Sequence, residues 1–327
     1  MPAKTRRHLL YDRAIITTAF NVSFTFKATR AFFVFMIKDT NLRGILIMLA
    51  SMAIFSAADT LVKMATTIMS TAQVMFYLMG GALVVFALIA KIQGDRLNDM
   101  RAFSPILLLR YFVEVAGMVG MVTALAKIPM STVGAITQAT PMLAAVGAVL
   151  FLQEKVGWRR WASIIVGFIG VLLIVQPGAV AFDINVLWAL LALVAMSVRD
   201  LTTRMVPTDI PSASLATYTM AAAAPFTVAW LLFNGDSFMP AQINWWIIVP
   251  MIICGALGYL LLIASLRMAE VSVVMPYRYS RIIFLLILGV LVFGERPDAW
   301  MVTGATLIIV SGVYMMWREH LARRETL

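Results

Sequence analysis

Apolar residues in this chain fall into runs of about 20, separated by short polar turns. A run of that length wound as an α-helix reaches about 30 Å, the thickness of a bilayer's hydrocarbon core. The pattern predicts ten spans, near residues 44–64, 71–92, 104–126, 131–152, 159–177, 184–206, 212–233, 244–266, 272–293 and 299–318. Between them lie QGDRLND, KIPMS, QPGAVAFD, VPTDIPS, FNGDSFMPAQ and GERPD, which carry turn chemistry. No soluble domain fits in such gaps. The expected fold is all-α and integral to the membrane.

Composition agrees. The chain is 62% hydrophobic and 13% charged, whereas soluble domains carry about 25% charged residues. One cysteine, Cys254, excludes a disulfide within the chain, and the two histidines, His8 and His320, lie at its extremes. No Cys/His metal cluster or cofactor is expected. The formal net charge of +10 raises nucleic acid as a partner, but eight of the 26 basic residues precede residue 44 and others sit in short loops. That distribution sets topology and argues for a lipid bilayer, not nucleic acid, as the partner.

Lysine and arginine stay preferentially on the cytoplasmic side. The even-numbered connections carry Lys91, Arg96 and Arg101, then Lys155, Arg159 and Arg160, then Arg204, then Arg267. The odd ones hold little beyond Lys63, Lys127 and Arg296. Both termini are therefore expected in the cytoplasm. Residues 1–41 form a basic arm outside the pattern. It reads as a surface amphipathic segment, a targeting segment, or sequence upstream of a start at Met36, and the last is the favoured expectation. Residues 319–327 are expected to form a cytoplasmic tail.

The chain also repeats. FLQEKVGW and VFGERPDAW place Glu154 and Glu295 141 residues apart, and the same offset puts Asp59 on Asp200, Ser56 on Ser197, Tyr77 on Tyr218 and Gly117 on Gly258. Each unit, 42–177 and 184–318, holds five spans. Five is odd, so the second unit enters the membrane from the opposite side, giving two inverted five-helix repeats.

With that architecture, the FLQE and FGE helix ends, followed by WRRWASIIVGFIG and AWMVTGATLIIVSG, resemble the drug/metabolite transporter superfamily, in its ten-helix bacterial form with two EamA domains. The resemblance covers residues 42–318. It implies a secondary transporter of small organic solutes in the cell inner membrane, with a central cavity walled by both halves.

Nine ionisable residues fall within the spans: Asp59, Lys63, Arg110, Glu114, Arg199, Asp200, Arg204, Arg278 and Arg281. Each costs about 2.5–3.5 kcal/mol at the bilayer centre and needs a reason to be there. Lys63, Arg204 and in part Arg199 can snorkel from helix ends. Arg110 and Glu114 are four apart and can pair; Glu114, about 15 Å deep, either fixes helix packing or lines the cavity, where it would take a proton or meet a cationic group. Asp59 and Asp200, equivalent in the two halves, read either as paired gates or as partners of Lys63 and of Arg199 or Arg204. On the ninth span, Tyr277, Arg278 and Arg281 share a face if the helix is regular. Their equivalents on the fourth include Thr137 and Gln138. Arg281, about 14 Å deep, ranks ahead of Arg278, which can reach water.

Guanidinium forks suit carboxylates, and tyrosines suit flat groups. The expected cargo is a small organic metabolite with a carboxylate or other anionic group, such as an amino acid or related compound. Riboflavin-like and S-adenosylmethionine-like solutes are the alternative, and a channel is a further one. No nucleophile with a base and no Walker loop occurs in the spans, so neither an enzyme nor an ATP-driven pump is expected. A monomer or a homodimer is compatible with all of this.

Overall fold

The computed structural model describes residues 40–95, 97, 100–152, 158–176, 183–206, 210–240, 243–269 and 271–325. Among them, ten membrane-scale helical segments follow one another: α1 (Thr40–Ala65), α2 (Thr71–Gln93), α3 (Pro105–Lys127), α4 in two pieces (α4a Met130–Thr137, α4b Thr140–Leu152), α5 (Trp158–Val175), α6 (Val186–Met205), α7 (Ser212–Phe233), α8 (Trp245–Met268), α9 and α10 (Ala299–Glu325). The ninth segment comprises α9a (Val271–Val274), a 3₁₀ stretch (Met275–Tyr279) and α9b (Ser280–Phe293). Eight segments are long and apolar enough to cross a membrane by length and composition, and the apolar parts of α5 and α10 are shorter. Large apolar side chains such as Phe112, Phe151 and Leu291 point outward, which suits lipid contact rather than water.

Local sequence explains where the helices start and stop. Ser70 and Gln73 form a capping box at the head of α2, and Pro105 opens α3, where its missing N–H costs nothing. The ends of α2 and α7 are marked by Gly94 and Gly235, both left-handed with φ of 76° and 71°, a conformation that glycine adopts without steric cost. The two glycines are equivalent under the 141-residue offset, and so are the aspartates that follow them. Asp236 accepts from Ser70 Oγ at 2.6 Å and Asp95 from Ser214 Oγ at 3.1 Å, so each loop is tied to the helix facing it.

Helix pairing carries the same symmetry. The principal pairings are α1 with α8, α3 with α6, α5 with α10, α2 with α7, α1 with α9 and α4 with α6. Exchanging the halves turns α1·α8 into α6·α3 and α1·α9 into α6·α4, while α2·α7 and α5·α10 map onto themselves. The fold is thus two inverted five-helix repeats. At the α5–α10 crossing Gly170 and Gly304 lie against each other so tightly that a Cβ on either would meet the other's carbonyl oxygen at 2.7 or 2.5 Å.

The principal difference from the sequence expectation is that α4 and α9 are not continuous. Pro141 lacks an N–H and its ring conflicts with the carbonyl of Thr137, one turn earlier; Thr140 Oγ1 donates to that carbonyl instead, at 2.5 Å. Pro276 opens the 3₁₀ stretch of α9. The two breaks fall at one level, since Gln138 and Tyr279 are equivalent positions. α10 also continues helically to Glu325. The arm up to residue 39 and Glu154 lie outside the described residues.

Candidate functional site: the cavity between two broken helices

The breaks in α4 and α9 face each other. Gln138 Nε2 donates to the Arg278 carbonyl at 3.0 Å, joining them directly. Neighbouring helices support both in the same way: Ser56 of α1 donates to the Arg281 carbonyl at 3.3 Å and Ser197 of α6 to the Thr140 carbonyl at 3.2 Å. These serines are equivalent under the offset, and so are their acceptors. Between the breaks lies a small cavity of about 20 Å³, lined by Thr137, Gln138 and Thr140 of α4 and by Arg278, Tyr279 and Arg281 of α9. That volume suits about one water-sized particle. The space between the two breaks is therefore narrow in this conformation.

The charges inside the spans are mostly paired. Arg281 gives Asp59 Oδ2 two hydrogen bonds, from Nη2 at 2.6 Å and Nε at 3.2 Å, and stacks 5.3 Å from the Phe55 ring. Asp59 does not pair with Lys63 one turn along α1; Lys63 Nζ reaches the Ile128 carbonyl at 2.8 Å and Glu295 at 3.2 Å. On α6, Arg199 holds Asp200 at 2.8 Å and Glu114 at 3.3 Å. Arg110 lies 3.9 Å from Glu114 and donates to Thr219 Oγ1 at 2.6 Å and Thr203 Oγ1 at 3.0 Å. Glu114 thus sits between two guanidinium groups, where its charge is compensated. The side chain of Arg204 lies outside the described residues.

Arg278 is different. It lines the cavity, its Nη1 lies 3.9 Å from the Met275 sulfur, and no carboxylate among the described residues is within ion-pair distance. Arg281, ranked first from depth alone, is instead engaged by Asp59. Tyr277 is 39% exposed, whereas Tyr279 is buried at 3% and lines the cavity. The 3₁₀ winding accounts for this, because three residues per turn instead of 3.6 rotate Tyr277 off the face expected for a regular helix. The Tyr279 hydroxyl lies in a notch at Gly312 of α10.

At the far face, opposite the one where α1 begins, the helices are locked by Glu295. Its carboxylate accepts from the backbone N–H groups of Met130 and Ser131 at 2.5 and 3.0 Å, from Ser131 Oγ at 2.7 Å and from Lys63. The end of α9 is thereby clamped to the head of α4 and the tail of α1. Burial pushes the Glu295 carboxyl up, but the Ser131 and Met130 hydrogen bonds and the Lys63 charge outweigh it and hold the group below its ordinary range. A depressed carboxyl contributes stability above the unfolded pKa, about 4.3, and loses it as pH falls through the folded value. Glu295→Gln is expected to lower stability by about 1–2 kcal/mol near neutral pH, with the difference from the parent shrinking in acid. Melting curves of both proteins across pH check this.

The sequence marked Glu295 only as one end of the repeat. Its role as a clamp rests on backbone donors 165 residues away, which no local pattern reveals. Tyr279 was not expected on the cavity wall because a regular helix was assumed through Pro276, where the structure has a 3₁₀ stretch.

Two inverted bundles meeting at broken helices around a central cavity are an architecture that membrane transporters use. The chain belongs to the EamA-like transporter family, whose model matches residues 42–176 and 183–318. It is 26% identical over 286 residues to the S-adenosylmethionine uptake transporter of Rickettsia bellii, covering 84% of this chain and 93% of that one. It is 28% identical over 221 residues to the riboflavin transporter of Vibrio cholerae, covering 67% and 74%. It is 25% identical over 283 residues to the pseudopaline exporter CntI of Pseudomonas aeruginosa, covering 84% and 96%. A solved structure matches 84% of this chain and 96% of its own with a TM-score of 0.58 at 16% identity, a likeness of fold. The protein is accordingly a multi-pass membrane transporter of a small molecule, not an enzyme.

Proposed function

We propose that the protein is a secondary active carrier of the inner membrane for a small organic metabolite bearing an anionic group, which binds between the broken helices with Arg278 as its principal contact. The observation that carries this reading is the Arg278 guanidinium, lining the central cavity without a carboxylate partner among the described residues. Thr137, Gln138 and Thr140 supply neutral hydrogen-bonding groups on the opposite wall.

Alternating access then follows from the inverted repeats. In the conformation described, the Glu295 clamp closes the far face. The 141-residue offset assigns Glu154 the equivalent place at the near face, so one clamp would form as the other opens. Asp59 with Arg281 and Asp200 with Arg199, both formed in this conformation, brace α1 and α6 on either side of the cavity. With the basic loops in the cytoplasm, the near face is the cytoplasmic one.

The names of the relatives favour a second reading of the cargo. S-adenosylmethionine carries a carboxylate and suits Arg278; riboflavin carries none, and its transport here would remove the anion contact while leaving a vitamin carrier. A thermal-shift screen of the purified protein against a metabolite library, followed by flux into proteoliposomes with and without a proton gradient, separates these. A carrier gives saturable flux that unlabelled cargo on the opposite side accelerates. Flux that rises linearly with concentration and ignores the opposite side is that of a channel and would refute the carrier.

A further inference from the structure

Around the two breaks some hydrogen bonds are made in both halves and one is made in a single half. Ser56 donates to the Arg281 carbonyl and Ser197 to the Thr140 carbonyl, so this support is present on both sides. The bond that joins the breaks, from Gln138 Nε2 to the Arg278 carbonyl, has no such mate among the described residues. Under the 141-residue offset Gln138 maps onto Tyr279, and the Arg278 carbonyl onto that of Thr137. The mate would therefore run from the Tyr279 hydroxyl to the Thr137 carbonyl. In this conformation the hydroxyl is buried and has no hydrogen-bond partner among the described residues. In an inverted repeat the two facing states exchange the arrangements of the halves, so a bond made on one side only belongs to one state.

An unpartnered buried hydroxyl costs stability, yet its place is provided for. The tip of the Tyr279 phenol rests against Gly312 of α10, where a Cβ would collide with it, so glycine there leaves room to park the ring. The acceptor is provided for as well. Pro141 has no N–H to offer the Thr137 carbonyl, which takes a hydrogen bond from Thr140 Oγ1 and has a second lone pair. Thr137 and Tyr279 line the same narrow cavity, and a phenol reaches further than the Gln138 amide that spans the gap now. Tyr279 also ends the 3₁₀ stretch, so a change of winding at the break turns its side chain.

We infer that Tyr279 is a positioning residue for the transport step: its hydroxyl donates to the Thr137 carbonyl in the opposite-facing conformation, while Gln138 joins the breaks only in this one. The inference rests on the alternating-access reading and does not depend on the chemistry of the cargo. With Glu295 clamping the far face, Gln138 is engaged and the phenol is parked. As the far face opens, the Gln138 bond breaks and the Tyr279 bond forms, so the breaks are joined once in either state. The two bonds offset each other, and neither state becomes a trap.

The test is hydrogen-exchange mass spectrometry of the full-length chain in nanodiscs without cargo. The first N–H groups of a helix have no intrahelical acceptor, so the Met130 and Ser131 amides owe their protection to Glu295, and their exchange reports opening of the far face. Tyr279→Phe removes a bond made only in the opposite-facing state and is expected to slow that exchange about three- to tenfold; Gln138→Met is expected to speed it by a similar factor. Tyr279→Phe is also expected to melt no lower than the parent, because it loses no bond in this conformation. Unchanged or faster exchange in Tyr279→Phe, a lowered melting temperature of that variant, or unchanged or slower exchange in Gln138→Met overturns the inference. Should Gln138→Met fail to fold, the Tyr279→Phe results decide. If they go against the switch while the parent still shows saturable flux accelerated by cargo on the opposite side, only the role of Tyr279 falls; if the parent shows no such flux, the carrier reading falls with it.

Discussion

Arg281→Gln is expected to destabilise the protein by about 3–5 kcal/mol, because it strands a carboxylate inside the membrane. Asp59 is 8% exposed, and Arg281 is the cation bonded to it. Lys63 lies one turn away on the same helix but is held by Glu295 and the Ile128 carbonyl, so it cannot take over without breaking the far-face clamp. The double variant Asp59→Asn with Arg281→Gln replaces the ion pair by two amides of similar shape and is expected to recover most of the stability. Unfolding of the parent, both single variants and the double in nanodiscs yields the coupling between the sites. Destabilisations that simply add would mean that Asp59 does not depend on Arg281.

Gly304→Ala is expected to lower stability by about 1–3 kcal/mol, for a steric reason. The added Cβ would lie 2.5 Å from the Gly170 carbonyl oxygen and 2.6 Å from Ile174 Cγ1. The first of these is backbone, which no rotamer change relieves, so α5 and α10 must separate along their crossing. In lipid, helices are held together by close packing, and no hydrophobic effect compensates when they move apart. Gly80→Ala is the control: a Cβ there meets nothing within 4 Å, and α2 is helical at that point. It is expected to be neutral or to stabilise by about 0.5–1 kcal/mol. Equal effects of the two substitutions in melting experiments would remove the steric explanation.

The overall fold could be read in the chain because its controlling variable, the length of an apolar run, is local. The α2 and α7 boundaries fall within a residue or so of expectation, since a capping serine (α2) or a proline (α7) stands at the head, and a left-handed glycine coincides with the end of the run. The repeat was legible for a related reason: Ser56 and Ser197 each donate to a carbonyl at a helix break, Asp59 and Asp200 each hold a guanidinium, and equivalent positions with the same job carry the same residues.

The site was only half legible. Depth along an ideal helix located the right region of α9 but assumed 3.6 residues per turn through Pro276, and the 3₁₀ stretch changed which tyrosine faces inward. A proline within a membrane span is tolerated when neighbours satisfy the freed groups, so Pro141 and Pro276 alone did not announce breaks. The pairing of charges was the least accessible part. Asp59 and Arg281 are 222 positions apart in the chain, and only the packing of α1 against α9 decides that Asp59 takes Arg281 rather than Lys63. That decision in turn commits Arg281 and leaves Arg278 to the cavity.

The central claim, that Arg278 receives the anionic group of the cargo, is tested most directly by flux in proteoliposomes of a carboxylated cargo and its methyl ester, through the parent and through Arg278→Gln. S-adenosylmethionine is the first pair to try, with any hit from the metabolite screen treated in the same way. The account predicts saturable flux of the acid through the parent, little flux of the ester, and no preference for the acid in Arg278→Gln. Undiminished transport of acid and ester alike by Arg278→Gln would contradict it.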